Sequence, residues 1–202
     1  VATWGNTVAA VLKDCDIPAH VESNTGYFSS YEIQVILSML RILDNPLQDI
    51  PMAAVLASPI VGMDDEELAQ IRSAFKGVSF AQAALSAMAG EDGYEDEKLK
   101  AFALVFERLR GAVADTPIHE LLYMMLDETG FYRYASAMPA GKRRRQNIDM
   151  LIEMAAAYEK TSYKGLFHFV RYIDIQQKYE IDYGCLLYTS PSPRDRQKSR
   201  MP

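Results

Sequence analysis

The chain has 202 residues, 49% of them hydrophobic, and a formal net charge of −6. That length allows one domain, or one and a half, with a real buried core. The acidic balance argues against nucleic-acid binding over the whole surface, though not against a local basic patch. No apolar run reaches the roughly 18 residues of a membrane span. Two cysteines, Cys15 and Cys185, make no disulfide framework, as expected of a cytoplasmic protein.

The pattern predicts a mainly α fold. Residues 4–14 read as a helix that stops before Ile17-Pro18. His20-Val21-Glu22 is a short strand candidate. From Tyr31 to Leu43, apolar residues at 33, 36, 37, 40 and 43 mark one helical face, and Asn45-Pro46 stops it. Asp64-Asp65-Glu66-Glu67 is a helix start: Asp64 can cap, Glu67 can reach back, and both suit the positive end of the dipole. Leu68, Ile71 and Phe75 then share a face. Gly90 to Gly93 is a polar loop, and residues 95–113 turn Leu99, Phe102, Phe106, Leu109 and Val113 inward. Thr116-Pro117 reads as a cap followed by proline at the first helical position, where its missing N–H costs nothing. Ile118, Leu121, Leu122 and Met125 form the next stripe, which Gly130 can end. Two further amphipathic helices span 145–160 and 163–178, with stripes Ile148/Leu151/Ile152/Ala155 and Leu166/Phe167/Val170/Ile173.

The ends differ from this pattern. The chain opens Val1-Ala2-Thr3-Trp4 without an initiator Met, and after Gly184 its composition changes abruptly. Residues 185–202, with Pro191 and Pro193 and four Lys/Arg against one Asp, resemble translated sequencing-adaptor read-through, a non-native tail. A natural basic disordered tail is the alternative.

One constellation stands out as a candidate site. Lys142-Arg143-Arg144-Arg145 follows Gly141 at a predicted helix start, where the dipole disfavours cations. Such a run asks for a compensating partner. Phosphates of DNA are one; acidic neighbours, within the chain or on a protein partner, are the other. Gly62 is a second candidate, because a glycine turn feeding a helix start can offer backbone N–H groups to a phosphate. Asp64 and Asp65 beside it work against that. His20, His119 and His168 sit singly with no metal spacing. The acidic stretches at 64–67 and 92–97 read as solvated, and the ten Met residues as core filler. Tyr27 and Phe28 suit packing better than base stacking. There is no G-x-x-x-x-G-K-[ST] phosphate loop and no Asp-Glu pair in a strand context, so neither catalytic nor cofactor-binding nor metal residues are assigned.

Several stretches, weak singly and specific in their order, carry a family resemblance. They are Asp16-Ile17-Pro18; Tyr27-Phe28 with Glu32-Ile33; Leu40-Arg41-Ile42-Leu43-Asp44-Asn45-Pro46-Leu47-Gln48-Asp49; and Pro59-Ile60-Val61-Gly62-Met63. Later come Gly130-Phe131-Tyr132, Arg144-Arg145-Gln146-Asn147, Tyr158-Glu159 and Ser162-Tyr163-Lys164-Gly165-Leu166-Phe167-His168-Phe169. Over nearly all of residues 4–184 the chain resembles UvrD-like superfamily 1 DNA helicases, in the AddA-type variant seen in bacterial ATP-dependent helicase/nucleases. The resemblance implies a partial second RecA-like α/β core domain over residues 1–50, then an all-α accessory insert over 51–184. It implies a parent that couples ATP and Mg to DNA unwinding and nuclease action in double-strand-break repair, beside an AddB-type second subunit. It implies no cofactor and no enzymatic activity for this stretch alone. A stand-alone α-helical interaction module is the competing expectation. A RecA-like remnant without its central strands cannot bury both faces of its sheet, so residues 1–50 are expected to be less protected than 51–182.

Overall fold

The computed structural model describes residue 15, residues 26–161 and residues 165–178. The expected helix at 4–14, the strand candidate at 20–22 and the tail at 185–202 lie outside those residues. The chain divides into two compact units, one formed by Val1–Ser30 with Glu180–Pro202, the other by Tyr31–Tyr179. In the first, Tyr27–Ser29 is a 3-10 turn. The Ser29 hydroxyl donates to the Gly26 carbonyl at 2.8 Å, and the Tyr27 and Phe28 rings meet edge to face at 5.0 Å.

Every regular element described in the second unit is helical. In chain order they are α1 (Tyr31–Asp44), α2 (Asp49–Leu56), α3 (Asp65–Ala74), α4 (Phe80–Met88), α5 (Glu97–Ala112), α6 (Ile118–Thr129), α7 (Phe131–Ala137), α8 (Gly141–Tyr158) and α9 (Leu166–Lys178). A 3-10 turn, Glu91–Gly93, fills the expected loop. The chain is thus mainly α, and no strand occurs among the described residues. No described helix is long and apolar enough to cross a membrane.

The unit is built around α1, which packs against α2, α5, α8 and α9. The expected face of Ile33, Ile36, Leu37, Leu40 and Leu43 is buried, but so are Val35, Met39 and Ile42 on the remaining sides. A helix apolar all round is a core helix, not a surface helix with one stripe. At about 1.5–3 kcal/mol for each large apolar side chain buried, α1 holds a large share of the core. Deep burial therefore begins at the start of this helix, well before residue 51.

The joint after α1 gives the motif at 40–49 a structural meaning. Arg41 reaches Asp174 at 2.7 Å and Gln177 at 3.2 Å on α9. The Asn45 side chain accepts from Leu47 N–H at 3.1 Å and so turns the chain around Pro46. Asp49, in the first turn of α2, accepts from Ala81 N–H at 2.9 Å, pinning α2 to the start of α4.

Most predicted stripes are buried as expected, including Leu99/Phe102/Phe106/Leu109, Ile118/Leu121/Leu122/Met125 and Ile148/Leu151/Ile152/Ala155. Gly130 ends α6 in the left-handed region, at φ 65°. Pro117 falls one place earlier than expected, on the capping residue itself. On α9 the buried aromatic is Phe169, whereas Phe167 is 53% exposed. The helix begins at Leu166, and its inward face follows Leu166, Phe169 and Ile173 at i, i+3 and i+7.

Native-state hydrogen exchange checks the central place of α1. Its amides are expected to exchange more slowly than those of the half-exposed α3, because only unfolding of the whole unit frees a helix with ten of its fourteen residues buried. Exchange of α1 as fast as α3 would contradict this packing.

Candidate functional site

The basic run lies on the first turns of α8, and three local features set it there. Gly130 lets α7 restart at once after α6, with its carbonyl accepting from Arg133 and Tyr134 N–H at 3.1 Å each. Ala140 then turns left-handed, at φ 60°, so that its carbonyl accepts from Arg143 and Arg144 N–H at 2.9 and 3.1 Å. Such a backbone costs a non-glycine residue about 1–2 kcal/mol. Gly141 is there for space: a Cβ at this position would lie 1.9 Å from the Ser136 carbonyl oxygen. No side chain caps this end, and no acid sits in its first turn.

Arg144 differs from its neighbours. Its guanidinium donates to the carboxylate of Glu32 on α1, and its Nε donates to the Pro139 carbonyl at 3.1 Å. Asn147, one turn on, donates to the other Glu32 oxygen at 2.6 Å. Glu32 is only 2% exposed, and Ser38 and Ser58 are the other buried polar residues among those described. Burial pushes the Glu32 carboxyl up, but the hydrogen bonds from Asn147 and the backbone, with the Arg144 charge, outweigh it and hold the group below its usual range. Arg144 is thus a structural partner of an acidic neighbour, one of the two alternatives the sequence left open. Lys142, Arg143 and Arg145 are exposed.

Tyrosines surround the run. Tyr132 on α7 donates to Asp149 on α8 at 3.1 Å. Burial first, then that bond and the Asp149 charge, push its phenol up, while Arg145 pulls it down and Tyr123 on α6 adds a small push upward. The Tyr31 phenol is likewise raised, by burial and then by Tyr134, against a lowering by Arg144. Tyr134 stacks on the buried Phe131, with centroids 6.2 Å apart and planes 19° apart.

Gly62 has a different setting. Its φ is +74°, which explains the glycine. Its N–H donates to the Ser58 carbonyl at 2.7 Å, and its carbonyl accepts from Lys98 at 3.0 Å. The capping box forms as the sequence predicts, Glu67 N–H to Asp64 and Asp64 N–H to Glu67, both at 2.8 Å. Hydrogen bonds from Lys98 and from Asp64 N–H hold the partly exposed Glu67 carboxyl below its usual range. Carboxylates already serve this helix end, leaving no Gly62 donor for a phosphate. It belongs to the α2–α3 turn, whereas α8 packs on α6, α7 and α1, so the two candidates do not form one site.

His119 pairs with Glu159, Nδ1 to carboxylate at 2.6 Å. No group of three or more His, Cys, Asp and Glu that could hold a metal occurs among the described residues.

Comparisons with known proteins agree with the resemblance. No protein-family model matches the chain. It is 42% identical over 185 residues to the ATP-dependent helicase/nuclease A subunit of Anoxybacillus flavithermus, covering 89% of this chain and 15% of that protein. It is 37% identical over 185 residues to the protein of the same name from Oceanobacillus iheyensis, covering 91% and 15%. Against that of Lachnoclostridium phytofermentans it is 34% identical over 226 residues, covering 90% and 16%. The chain thus falls in the class of ATP-dependent helicase/nuclease proteins. Within that class it belongs to the AddA-type family, and it spans about 15% of the length of the curated relatives it matches.

The Glu32–Arg144 contact predicts an asymmetry within the run. Arg144→Ala strands a buried carboxylate and is expected to cost about 3 kcal/mol or more, whereas Lys142→Ala, Arg143→Ala and Arg145→Ala, at exposed positions, should each cost about 1 kcal/mol or less. The same contact makes stability fall in acid. Because the folded-state carboxyl of Glu32 is the stronger acid, its stabilisation is complete above the usual glutamate value and is lost as pH falls through the lower, folded one. Urea unfolding across that range checks both points. Glu32→Gln should flatten the acid limb, and equal costs for all four cation variants would refute the assignment.

Proposed function

We propose that this chain supplies a DNA-guiding helical accessory domain to an AddA-type helicase/nuclease protein that works in double-strand-break repair and recombination. The observation that carries the reading is the exposed trio Lys142, Arg143 and Arg145, on a helix start with no capping acid. At three other helix starts acids meet the backbone, Asp64 to Glu67 at α3, Asp49 at α4 and Asp96 at α5, whereas α7 and α9, like α8, have no acid in the first turn. In an acidic protein this uneven placement steers a polyanion to α8 and away from α3 and α5. The cations position the duplex through its phosphates and read no bases. ATP, Mg and an AddB-type partner belong to the longer protein under this reading, as does the nuclease step. Residues 1–50 are read as part of its second RecA-like core domain.

Two measurements test it. Lys142→Ala/Arg143→Ala/Arg145→Ala, with Arg144 left in place to hold Glu32, should weaken duplex binding about equally across sequences. It should also flatten the plot of log affinity against log salt by up to about 0.9 for each phosphate no longer neutralised. The purified chain should show no DNA-stimulated ATP turnover above a buffer control. If duplex affinity and its salt slope are the same in the triple variant, the α-helical interaction module becomes the better reading, favoured by Ile50 at 83% exposed and Leu104 at 70%.

A further inference from the structure

Three tyrosines among the large exposed hydrophobic residues described are Tyr31 at 44%, Tyr123 at 57% and Tyr134 at 45%. They come from three helices, α1, α6 and α7; two of them, Tyr31 and Tyr134, lie by the first turns of α8, the Tyr31 phenol being raised by burial and then by Tyr134 and lowered by Arg144. Tyr31 adjoins Glu32, which Arg144 holds. Tyr134 follows Tyr132 and Arg133 on the short helix that is tied to α8 through Asp149. Chance scatter of exposed aromatics needs no explanation, but the gathering of these two beside one cationic stretch does.

We propose that Tyr31 and Tyr134 form a base-stacking surface for single-stranded DNA beside the Lys142/Arg143/Arg145 phosphate contacts. It rests on the DNA reading of the basic run and adds a strand preference to it. Duplex bases are already stacked on one another and offer a phenol only their edges and backbone. Unpaired bases present open π faces, and stacking on an aromatic ring strengthens binding by roughly ten-fold per base. The rings are held in advance. Tyr134 lies nearly parallel to Phe131, itself 1% exposed, and Tyr31 sits on the first turn of the core helix α1. A ring with two side-chain torsions, already packed on one side, loses little entropy when a base covers the other. Arg144 answers the charge of Glu32 and Asn147 bonds its other oxygen, so its carboxylate does not repel the passing phosphates. Cations beside two half-exposed rings would suit a point where paired DNA gives way to a single strand.

The test uses the full chain with oligo-dT carrying a single 2-aminopurine, and a blunt duplex of the same length. Stacking should quench the probe on binding. Tyr31→Ala and Tyr134→Ala should each lower single-strand affinity by about ten-fold, leaving duplex affinity and the salt slope unchanged. Phe at either position should retain affinity, and Leu, which keeps the apolar bulk without the ring, should not. Single-strand affinity that is equal for the Ala, Leu and Phe variants, with no quenching, would overturn the proposal while leaving phosphate binding by the basic run intact. Failure of the unmodified chain to bind either DNA with a salt-dependent affinity would overturn both.

Discussion

The contact on which this helical unit most depends is the buried carboxylate of Glu32 and the two donors that meet it from α8. A carboxylate taken out of water costs several kcal/mol unless its charge and lone pairs are answered. Arg144 answers the charge and Asn147 supplies a second hydrogen bond. The two lie three residues apart, so one face of one helix brings both to the same acid. The contact fixes the rotation of α8 against α1, and with it which cations of the run face solvent.

That constraint separates two roles within a single stretch of like charge. Lys142, Arg143 and Arg145 project from a helix start that the dipole makes unfavourable for them, whereas Arg144 is engaged inside. The stability of the unit and its surface charge are therefore coupled through adjacent residues but belong to different side chains. Gly141 serves both. By letting α8 start against the Ser136 carbonyl it brings Arg144 within reach of Glu32, and it turns the neighbouring cations outward.

The same division of roles runs through the family-like motifs. The stretch from Leu40 to Asp49 works as a joint: Arg41 to α9, Asn45 around the turn, Asp49 to the start of α4. Gly62 serves a folded turn whose polar groups are already paired with Ser58 and Lys98. These residues hold helices together.

What the sequence by itself determined was local. Apolar spacing predicted the inward faces of α5, α6 and α8, and the side chains of Asp64 and Glu67 predicted their own capping box, because each depends on residues within a turn or two. The AddA-type resemblance was legible too, since order and spacing survive in a linear reading. Only the tertiary structure decided that α1 is buried well beyond one stripe, since Ile33, Ile36, Leu37, Leu40 and Leu43 do not reveal that Val35, Met39 and Ile42 also meet neighbours. The short helices α2, α4 and α7 escaped for a related reason: segments this short show too few turns for a period to emerge. Nor does periodicity pair Arg144 with Glu32, 112 residues away. Helical stripes say which face turns inward, but not which distant charge waits there, and that partner divided the basic run between core and surface.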